Sequence, residues 1–149
     1  MSDIIYFDNS ATTKIYPEVL SEMNRIYSSF FGNPSSLHRL GGEAEKVLLE
    51  SREIIAKTLK VSPNEIFFTS GGTESNNWAI KGAARANKRR GKHLITSGAE
   101  HPSVLECFNF LKSEGFSAEI TKTDQSGLLN RENFIEKIRL ILEGKIGFK

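Results

Sequence analysis

The chain has 149 residues, the size of one ordinary domain or of a part of a larger one. Its 20 basic and 18 acidic residues leave a formal net charge of +2, so no broad field points to nucleic acid or anionic lipid. The single cysteine excludes an internal disulfide framework, and neither a signal peptide nor an apolar run of roughly 18 to 20 residues is found, so we expect a soluble, cytoplasmic protein.

Short apolar runs typical of strands alternate along the chain with longer runs that have helical spacing. Ile4–Phe7 predicts a short buried strand, and a helix is predicted from Pro17, a residue that suits a first turn. Residues Phe31–Gly42 predict a loop because Gly, Asn, Pro and Ser cluster there. A second helix follows with an apolar stripe from Ala44 to Leu59, and Glu65–Thr69 predicts the next strand.

The same alternation continues in the second half of the chain. The predicted elements are a helix from two glycines to about Arg90, a strand at His93–Ser97, a helix from Pro102 to near Gly115, a weaker strand at Ala118–Thr121 and a helix over Arg131–Leu142, with Gly144 as its stop. This order indicates βαβ units, so the predicted fold class is α/β with a mainly parallel sheet flanked by helices. Three or four strands leave such a sheet with uncovered edges, so we expect residues 1–149 to be an incomplete domain, with no second domain present.

The first candidate site is the turn "TSGGTE" between the Glu65–Thr69 strand and the next helix. A helix N-terminus has unpaired N–H groups and roughly half a positive charge, and glycines let a ligand approach the backbone closely. Gly72 and Thr73 therefore form a candidate anion site, with the Thr73 hydroxyl placed to bind a phosphate oxygen. The alternative is a structural turn in which Thr73 caps the helix. Glu74 suits the dipole in either case, but it would repel an anion if it pointed inward.

His101 is the second candidate residue because it follows the His93–Ser97 strand and precedes Pro102, which starts a helix. Ligands of open α/β sheets bind outside the carboxyl ends of the strands, so parallel pairing would place Thr73 and His101 at one edge. A histidine held there can stack on a planar ligand or transfer a proton, although a loop histidine is often incidental.

Other polar residues give weaker signals. His93 is interpreted as a surface residue, and turn formation explains His38 as well as a site would. Cys107 lies beside apolar Phe108 in a helix and is expected to be a packed thiol. The basic cluster Asn87–His93 lacks interleaved aromatic residues, so nucleic-acid binding is not predicted, and no residue spacing suggests a metal site.

Four segments together resemble the N-terminal part of cysteine desulfurases, which are class V aminotransferase-fold enzymes that use pyridoxal 5′-phosphate. These segments are "YFDNSATT" (6–13), "FGNPSSLH" (31–38), "FTSGGTESNNWAIKG" (68–82) and "EHPSV" (100–104). The resemblance extends to about Ile138 with the motifs in the same order, and it implies that the chain is part of the large domain of a fold type I enzyme.

The resemblance also implies roles for particular residues. Gly72 and Thr73 would bind the cofactor phosphate, and His101 would stack on the pyridine ring and take part in proton transfer. The segments 8–13 and 33–38 would line the entrance of the active site near a homodimer interface. The intact enzyme would take sulfur from L-cysteine, giving L-alanine, and pass it to an acceptor protein for iron–sulfur cluster or thio-cofactor assembly.

The family's Schiff-base lysine and persulfide cysteine have no match in this sequence, since neither Lys81, Lys88, Lys92 nor Cys107 corresponds to them. One hypothesis is therefore that the chain is the N-terminal portion of a cysteine desulfurase-like enzyme. A second is a truncated or split chain that is catalytically silent alone. An unrelated phosphate-binding α/β module is the third, and the ordered motifs disfavour it.

Overall fold

A computed structural model of the chain describes residues 4–143. The chain divides into two compact units, with the boundary between Phe67 and Phe68. The first unit is helical, and the second contains a parallel sheet with its helices. None of the helices within residues 4–143 is long and apolar enough to cross a membrane.

Two helices, α1 (Pro17–Ser29) and α2 (Arg39–Leu59), make up most of the first unit. The predicted start of α1 is confirmed, with the proline in its first turn. Helix α2 begins earlier than predicted, so residues 39–42 belong to the helix and not to the loop. The physical reason is a cap: the Gly41 N–H donates to Nδ1 of His38 over 3.3 Å and thereby pairs a free N–H of the first turn.

The predicted strands at Ile4–Phe7 and Glu65–Thr69 are wrong for the residues that the structure describes, which form neither strand. Phe7 is 91% exposed, and no strand within residues 4–143 pairs with its segment. Glu65 ends a 3₁₀ turn (Pro63–Glu65), in which its carboxylate accepts the Ser62 N–H over 2.8 Å. A strand needs a neighbour for its backbone groups, and an apolar run alone does not supply one.

The second unit contains the remaining elements: α3 (Gly72–Ala86), β1 (His93–Ser97), α4 (Pro102–Ser113), β2 (Ser117–Thr121) and α5 (Arg131–Leu142). Strands β1 and β2 pair in parallel with His93 opposite Ser117 and Ser97 opposite Thr121. The α/β fold class is thereby confirmed, as are both strands of this unit, although the described sheet has two strands and not three or four. The predicted stop at Gly144 lies outside the described residues.

Helix α3 ends at Ala86 and not near Arg90 as predicted. The side-chain amide of Asn87 donates to the Ala83 carbonyl over 2.9 Å, and the N–H groups of Arg90 and Gly91 both donate to the Asn87 carbonyl. Asparagine competes in this way for the carbonyls of a last turn, so the chain leaves the helix before the basic cluster.

The core of the second unit lies between α3, α4 and the sheet. Leu111 of α4 is fully buried, and it packs with Ala84 of α3 and with Phe116, which precedes β2. Ile80 and Leu94 cover this cluster from α3 and β1. Burying Leu111 and Phe116 contributes about 1.5–3 kcal/mol each. This packing fixes α3 against α4 and so positions the N-termini of both helices.

Candidate functional site

The N-terminus of α3 is the predicted anion site, and no side chain of the described residues, 4–143, caps it. Gly71 is the N-cap residue, Gly72 is the first helical residue and Thr73 is the second. The alternative in which Thr73 caps the helix is therefore wrong. The backbone N–H groups of this turn keep the positive end of the helix dipole and are oriented to bind an acceptor.

The two glycines of this turn are not required by the packing of the described chain. A Cβ added at Gly71 or Gly72 would meet no atom within 4 Å. Gly41 of α2 is different, because a Cβ there would collide with the Ser36 carbonyl. The space beside Gly72 is thus open to a ligand, which could approach the backbone without meeting a side chain.

The carboxylate of Glu74 accepts two hydrogen bonds in the turn before α3. It accepts the backbone N–H of Ser70 over 2.6 Å and the Ser70 hydroxyl over 2.8 Å. These two hydrogen bonds, the backbone one first, lower the pKa of Glu74 below its ordinary value of 4.5. One oxygen, Oε2, accepts both bonds and is held at Ser70, and the effect of Glu74 on an anion at Gly72 stays a prediction.

The turn is also braced by hydroxyl groups. Thr69 Oγ1 lies 2.7 Å from Ser75 Oγ, and it donates to the Gly71 carbonyl over 3.3 Å. One hydroxyl thus contacts both the N-cap residue and the first turn of α3. The hydrogen bonds of Thr69 and Ser70 hold the turn in one conformation, as a preformed ligand site requires.

His101 is the N-cap residue of α4, directly before Pro102. Its Nδ1 accepts the Ser103 N–H over 3.1 Å and lies 2.8 Å from the Ser103 hydroxyl. The residue is exposed, so its ring is accessible while Nδ1 is held at the helix end. The backbone geometry before proline and the side-chain cap together fix this ring at the N-terminus of α4.

A hydrogen bond connects the two helices that carry the candidate residues. The side-chain amide of Asn76, one turn after Thr73 on α3, donates to the Ser103 hydroxyl of α4 over 2.9 Å. The predicted route, adjacent carboxyl ends of two strands, is wrong because residues 65–69 form no strand in the described chain. Packing of α3 on α4 and the Asn76–Ser103 bond connect the site instead.

Asn76 and Ser103 were missed by sequence reasoning. The available signal was their spacing, since Asn76 lies three residues after Thr73 and Ser103 lies two residues after His101. These spacings place Asn76 close to Thr73 at the start of α3, and Ser103 close to His101 at the start of α4.

The interpretation of His93 as a surface residue is wrong. Its side chain is 3% exposed, with Nε2 at 3.5 Å from a Glu119 carboxylate oxygen, and Glu119 also pairs with Lys137 at 2.8 Å. Strand pairing explains this burial, because His93 opens β1 beside β2. The expectation that Cys107 is packed is confirmed: it is buried, and its thiol donates to the Ser103 carbonyl over 3.0 Å.

Comparison with known proteins gives a match to the aminotransferase class-V family model over residues 5–141. The chain is 49% identical over 130 residues to a NifS/IcsS protein homolog of Lactobacillus delbrueckii, covering 87% of this chain and 34% of that protein. It is 45% identical over 133 residues to the cysteine desulfurase IscS of Clostridium botulinum, covering 89% and 34%. The chain thus spans about a third of the length of these relatives.

A solved structure of SspA in complex with cysteine is also similar. It matches with a TM-score of 0.69 and 44% identity, over 78% of this chain and 34% of that one. The family match covers nearly all the described residues, and it includes every candidate site residue from Gly72 to His101. The chain belongs to the aminotransferase class-V family.

Proposed function

We propose that this chain provides the phosphate-binding turn and the ring-facing histidine of a pyridoxal-phosphate-dependent cysteine desulfurase. Gly72 and Thr73 would bind the cofactor phosphate, and His101 would lie against the pyridine ring. The observation that carries the proposal is the uncapped N-terminus of α3, open beside Gly72 and linked through Asn76 and Ser103 to His101.

The residues present fit a phosphate in three respects. The first N–H groups of α3 have no side-chain cap, the adjacent carboxylate of Glu74 is bound to Ser70, and the Thr73 side chain adds a hydroxyl donor. Phosphates bind at such helix ends through backbone N–H groups and the helix dipole. A phosphate here would satisfy donors that no side chain within residues 4–143 caps.

Pyridoxal phosphate, when bound, supplies an electron sink that labilises bonds at the α-carbon of an amino acid. In this proposal the chain's own residues perform the binding and orienting steps. The turn at Gly72 anchors one end of the ligand, and His101, fixed by its cap on α4, limits the orientation of the ring. Such positioning is a major part of what a protein adds to cofactor chemistry.

The substrate, partners and products of the whole enzyme are also part of the proposal. The names of the similar proteins, a cysteine desulfurase and a protein solved in complex with cysteine, support L-cysteine as the amino-acid substrate. Sulfur would pass to an acceptor protein, leaving L-alanine, and the complete enzyme would be a homodimer. The acceptor would serve iron–sulfur cluster or thio-cofactor assembly.

The polypeptide of 149 residues would by itself be catalytically silent, because none of its lysines matches the family's cofactor-binding lysine. The chain spans about a third of the length of the relatives that it matches. The measurement is sulfide release from cysteine. We expect none from the 149-residue chain by itself, and we expect release when the remaining two thirds of a relative is added. Turnover by the 149-residue chain alone would contradict it.

The phosphate site is tested by titrating the chain with pyridoxal phosphate and, separately, with pyridoxal, which lacks the phosphate. Trp78, the single tryptophan, lies on α3 close to the turn and reports binding by its fluorescence. We expect the phosphorylated ligand to bind more tightly. Thr73→Ala should weaken its binding by about 1 to 3 kcal/mol, the contribution of one charge-assisted hydrogen bond, without affecting pyridoxal.

Two variants control this experiment. Thr73→Ser keeps the hydroxyl and should restore the affinity for pyridoxal phosphate. Thr58→Ala removes a hydroxyl that donates only to the Ile54 carbonyl of α2, and it should leave binding unchanged. Equal affinity for both ligands, or no effect of Thr73→Ala, would contradict the phosphate assignment.

A further inference from the structure

We propose that Ser103 and Asn76 are positioning residues that hold His101 as its Nε2–H tautomer. In that tautomer the exposed edge of the neutral ring presents a proton and not a lone pair. The hydrogen-bond geometry of the chain carries this inference, whereas its consequence for a ligand rests on the function proposed above.

The first step is the helix cap. The backbone N–H of Ser103 lies 3.1 Å from Nδ1 of His101, and a backbone N–H can only donate. Nδ1 must therefore offer its lone pair. In a neutral imidazole one nitrogen accepts and the other carries the hydrogen, so the proton resides on Nε2.

The second step is the hydroxyl of Ser103. Its oxygen accepts a hydrogen bond from the Asn76 side-chain amide over 2.9 Å, which leaves the hydroxyl hydrogen for another partner. Nδ1 of His101 lies 2.8 Å from the same oxygen. The hydroxyl thus donates to Nδ1 as a second donor. Asn76 of α3 therefore determines the direction of the hydrogen bonds that run from Asn76 through Ser103 to His101.

The third step is the rigidity of the support. Ser103 is buried, and its carbonyl accepts the thiol of buried Cys107 one turn further along α4. Its hydroxyl is therefore held in place, while His101 itself is exposed. Within residues 4–143 no group forms a hydrogen bond to Nε2, so this nitrogen is the accessible end of the ring.

This tautomer determines whether Nε2 of His101 first acts as a hydrogen-bond donor or as a base. With Nδ1 occupied, the neutral ring donates through Nε2 to an electronegative atom of a bound ligand. It cannot act there as a general base until that hydrogen has been given away. Asn76, which need not touch a ligand, would control this polarity from the neighbouring helix.

The experiment is a measurement of imidazole nitrogen chemical shifts in the 149-residue chain, with no ligand added, at a pH above the ordinary titration of histidine, about 6.5. Long-range proton–nitrogen spectra distinguish a protonated from an unprotonated ring nitrogen. The signals of His101 are assigned by their loss in His101→Gln. We expect Nδ1 of His101 to be unprotonated and Nε2 to be protonated.

Two variants test the supporting residues. Ser103→Ala removes one of the two donors to Nδ1. The ratio of the Nε2–H to the Nδ1–H tautomer should therefore fall by about 2- to 12-fold, the effect of one ordinary hydrogen bond. Asn76→Asp replaces the amide donor by an acceptor that attracts the Ser103 hydroxyl hydrogen. The Ser103 oxygen then has a lone pair free to accept a hydrogen bond from an Nδ1–H group. The ratio in Asn76→Asp should therefore also be lower than in the unmodified chain.

Matched controls separate this role from general loss of structure. Ser113→Ala, on the same helix, removes a hydroxyl that donates only to the Phe110 carbonyl and should leave the ratio unchanged. His38 is an internal reference, since its Nδ1 accepts the Gly41 N–H and none of these substitutions changes either residue. Preserved amide dispersion shows that each variant is folded.

An Nδ1–H tautomer of His101 in the unmodified chain would overturn the proposal, and so would an unchanged ratio in either folded variant. If Ser103→Ala fails to fold, Asn76→Asp and the unmodified chain still decide. No cofactor enters these measurements. A chain that shows the Nε2–H tautomer but does not bind pyridoxal phosphate would contradict the proposed function alone.

Discussion

The carboxylate of Glu74 accepts both the N–H and the hydroxyl of Ser70, at 2.6 and 2.8 Å. These two hydrogen bonds connect the turn before α3 to a carboxylate in the first turn of the same helix. The negative charge thereby remains near the positive end of the helix dipole, where it is favourable, and Oε2 accepts both hydrogen bonds. We therefore expect that the proposed phosphate at Gly72 and the carboxylate of Glu74 can occupy the same helix end.

The pH dependence of this contact follows from the lowered pKa of Glu74. Because the folded value lies below the ordinary 4.5, the contact is fully present above pH 4.5 and is lost as the pH falls through the folded value. We expect the amide proton shift of Ser70 to stay constant from pH 7 to about 5. It should then change with a midpoint below 4.5. A midpoint at or above that value would contradict the hydrogen bond.

Glu74→Ala tests whether the carboxylate organises the turn or repels an anion. We expect pyridoxal phosphate affinity to fall by about 2- to 12-fold, the effect of one lost hydrogen bond, because the Ser70 donors no longer hold the turn. Fluorescence titration measures it. Glu106→Ala is the matched control, since it removes the same charge from the exposed side of α4. Tighter binding in Glu74→Ala would show that the carboxylate faces the ligand.

Leu111→Ala should reduce the free energy of unfolding by about 2–5 kcal/mol, because it leaves a cavity between α3, α4 and Phe116. This loss is a large share of the stability of an ordinary domain, about 5–15 kcal/mol. Urea unfolding followed by circular dichroism measures it. Leu142→Ala, at a side chain 81% exposed, is the control and should have little effect. Equal midpoints for the two variants would refute the assignment of Leu111 to the core.

His93→Phe should raise the free energy of unfolding by about 1 kcal/mol, because neither nitrogen of the buried imidazole has a hydrogen-bond partner within residues 4–143. A phenyl ring keeps a similar shape at the start of β1 and removes this penalty. The contrasting variant is His38→Phe, which removes the cap of α2 and should destabilise the chain. A lower free energy of unfolding in His93→Phe would contradict this expectation.

Much of the helical structure could be predicted because its causes are local. Pro17 and Pro102 stand in the first turns of α1 and α4, and α5 occupies the predicted residues Arg131–Leu142. The strands at Ile4–Phe7 and Glu65–Thr69 could not be judged in this way. Whether an apolar run becomes a strand depends on a neighbouring strand, and no local pattern encodes that neighbour.

The site divides in the same manner. Gly72 and Thr73 could be selected from the glycine turn before a helix, and His101 from its place between a strand and Pro102. Their roles toward a phosphate and a ring stay predictions. Asn76 and Ser103 are 27 residues apart, and their hydrogen bond depends on how α3 packs on α4. Nothing in the local sequence of either helix specifies that contact, so only the fold reveals it.

If Gly72 binds the proposed phosphate, folding and ligand binding favour different residues at this position. It lies in the first turn of α3 without a positive backbone φ, and a methyl group there would meet no atom of the described chain. Alanine at such a site ordinarily stabilises a protein by about 0.4–1 kcal/mol, since the unfolded chain loses freedom. A library selected only for thermal resistance would therefore discard this glycine, whereas one selected for ligand capture would keep it. A comparison of the residues selected at this position in the two libraries would show where the ligand approaches the backbone most closely, without a structure of the complex.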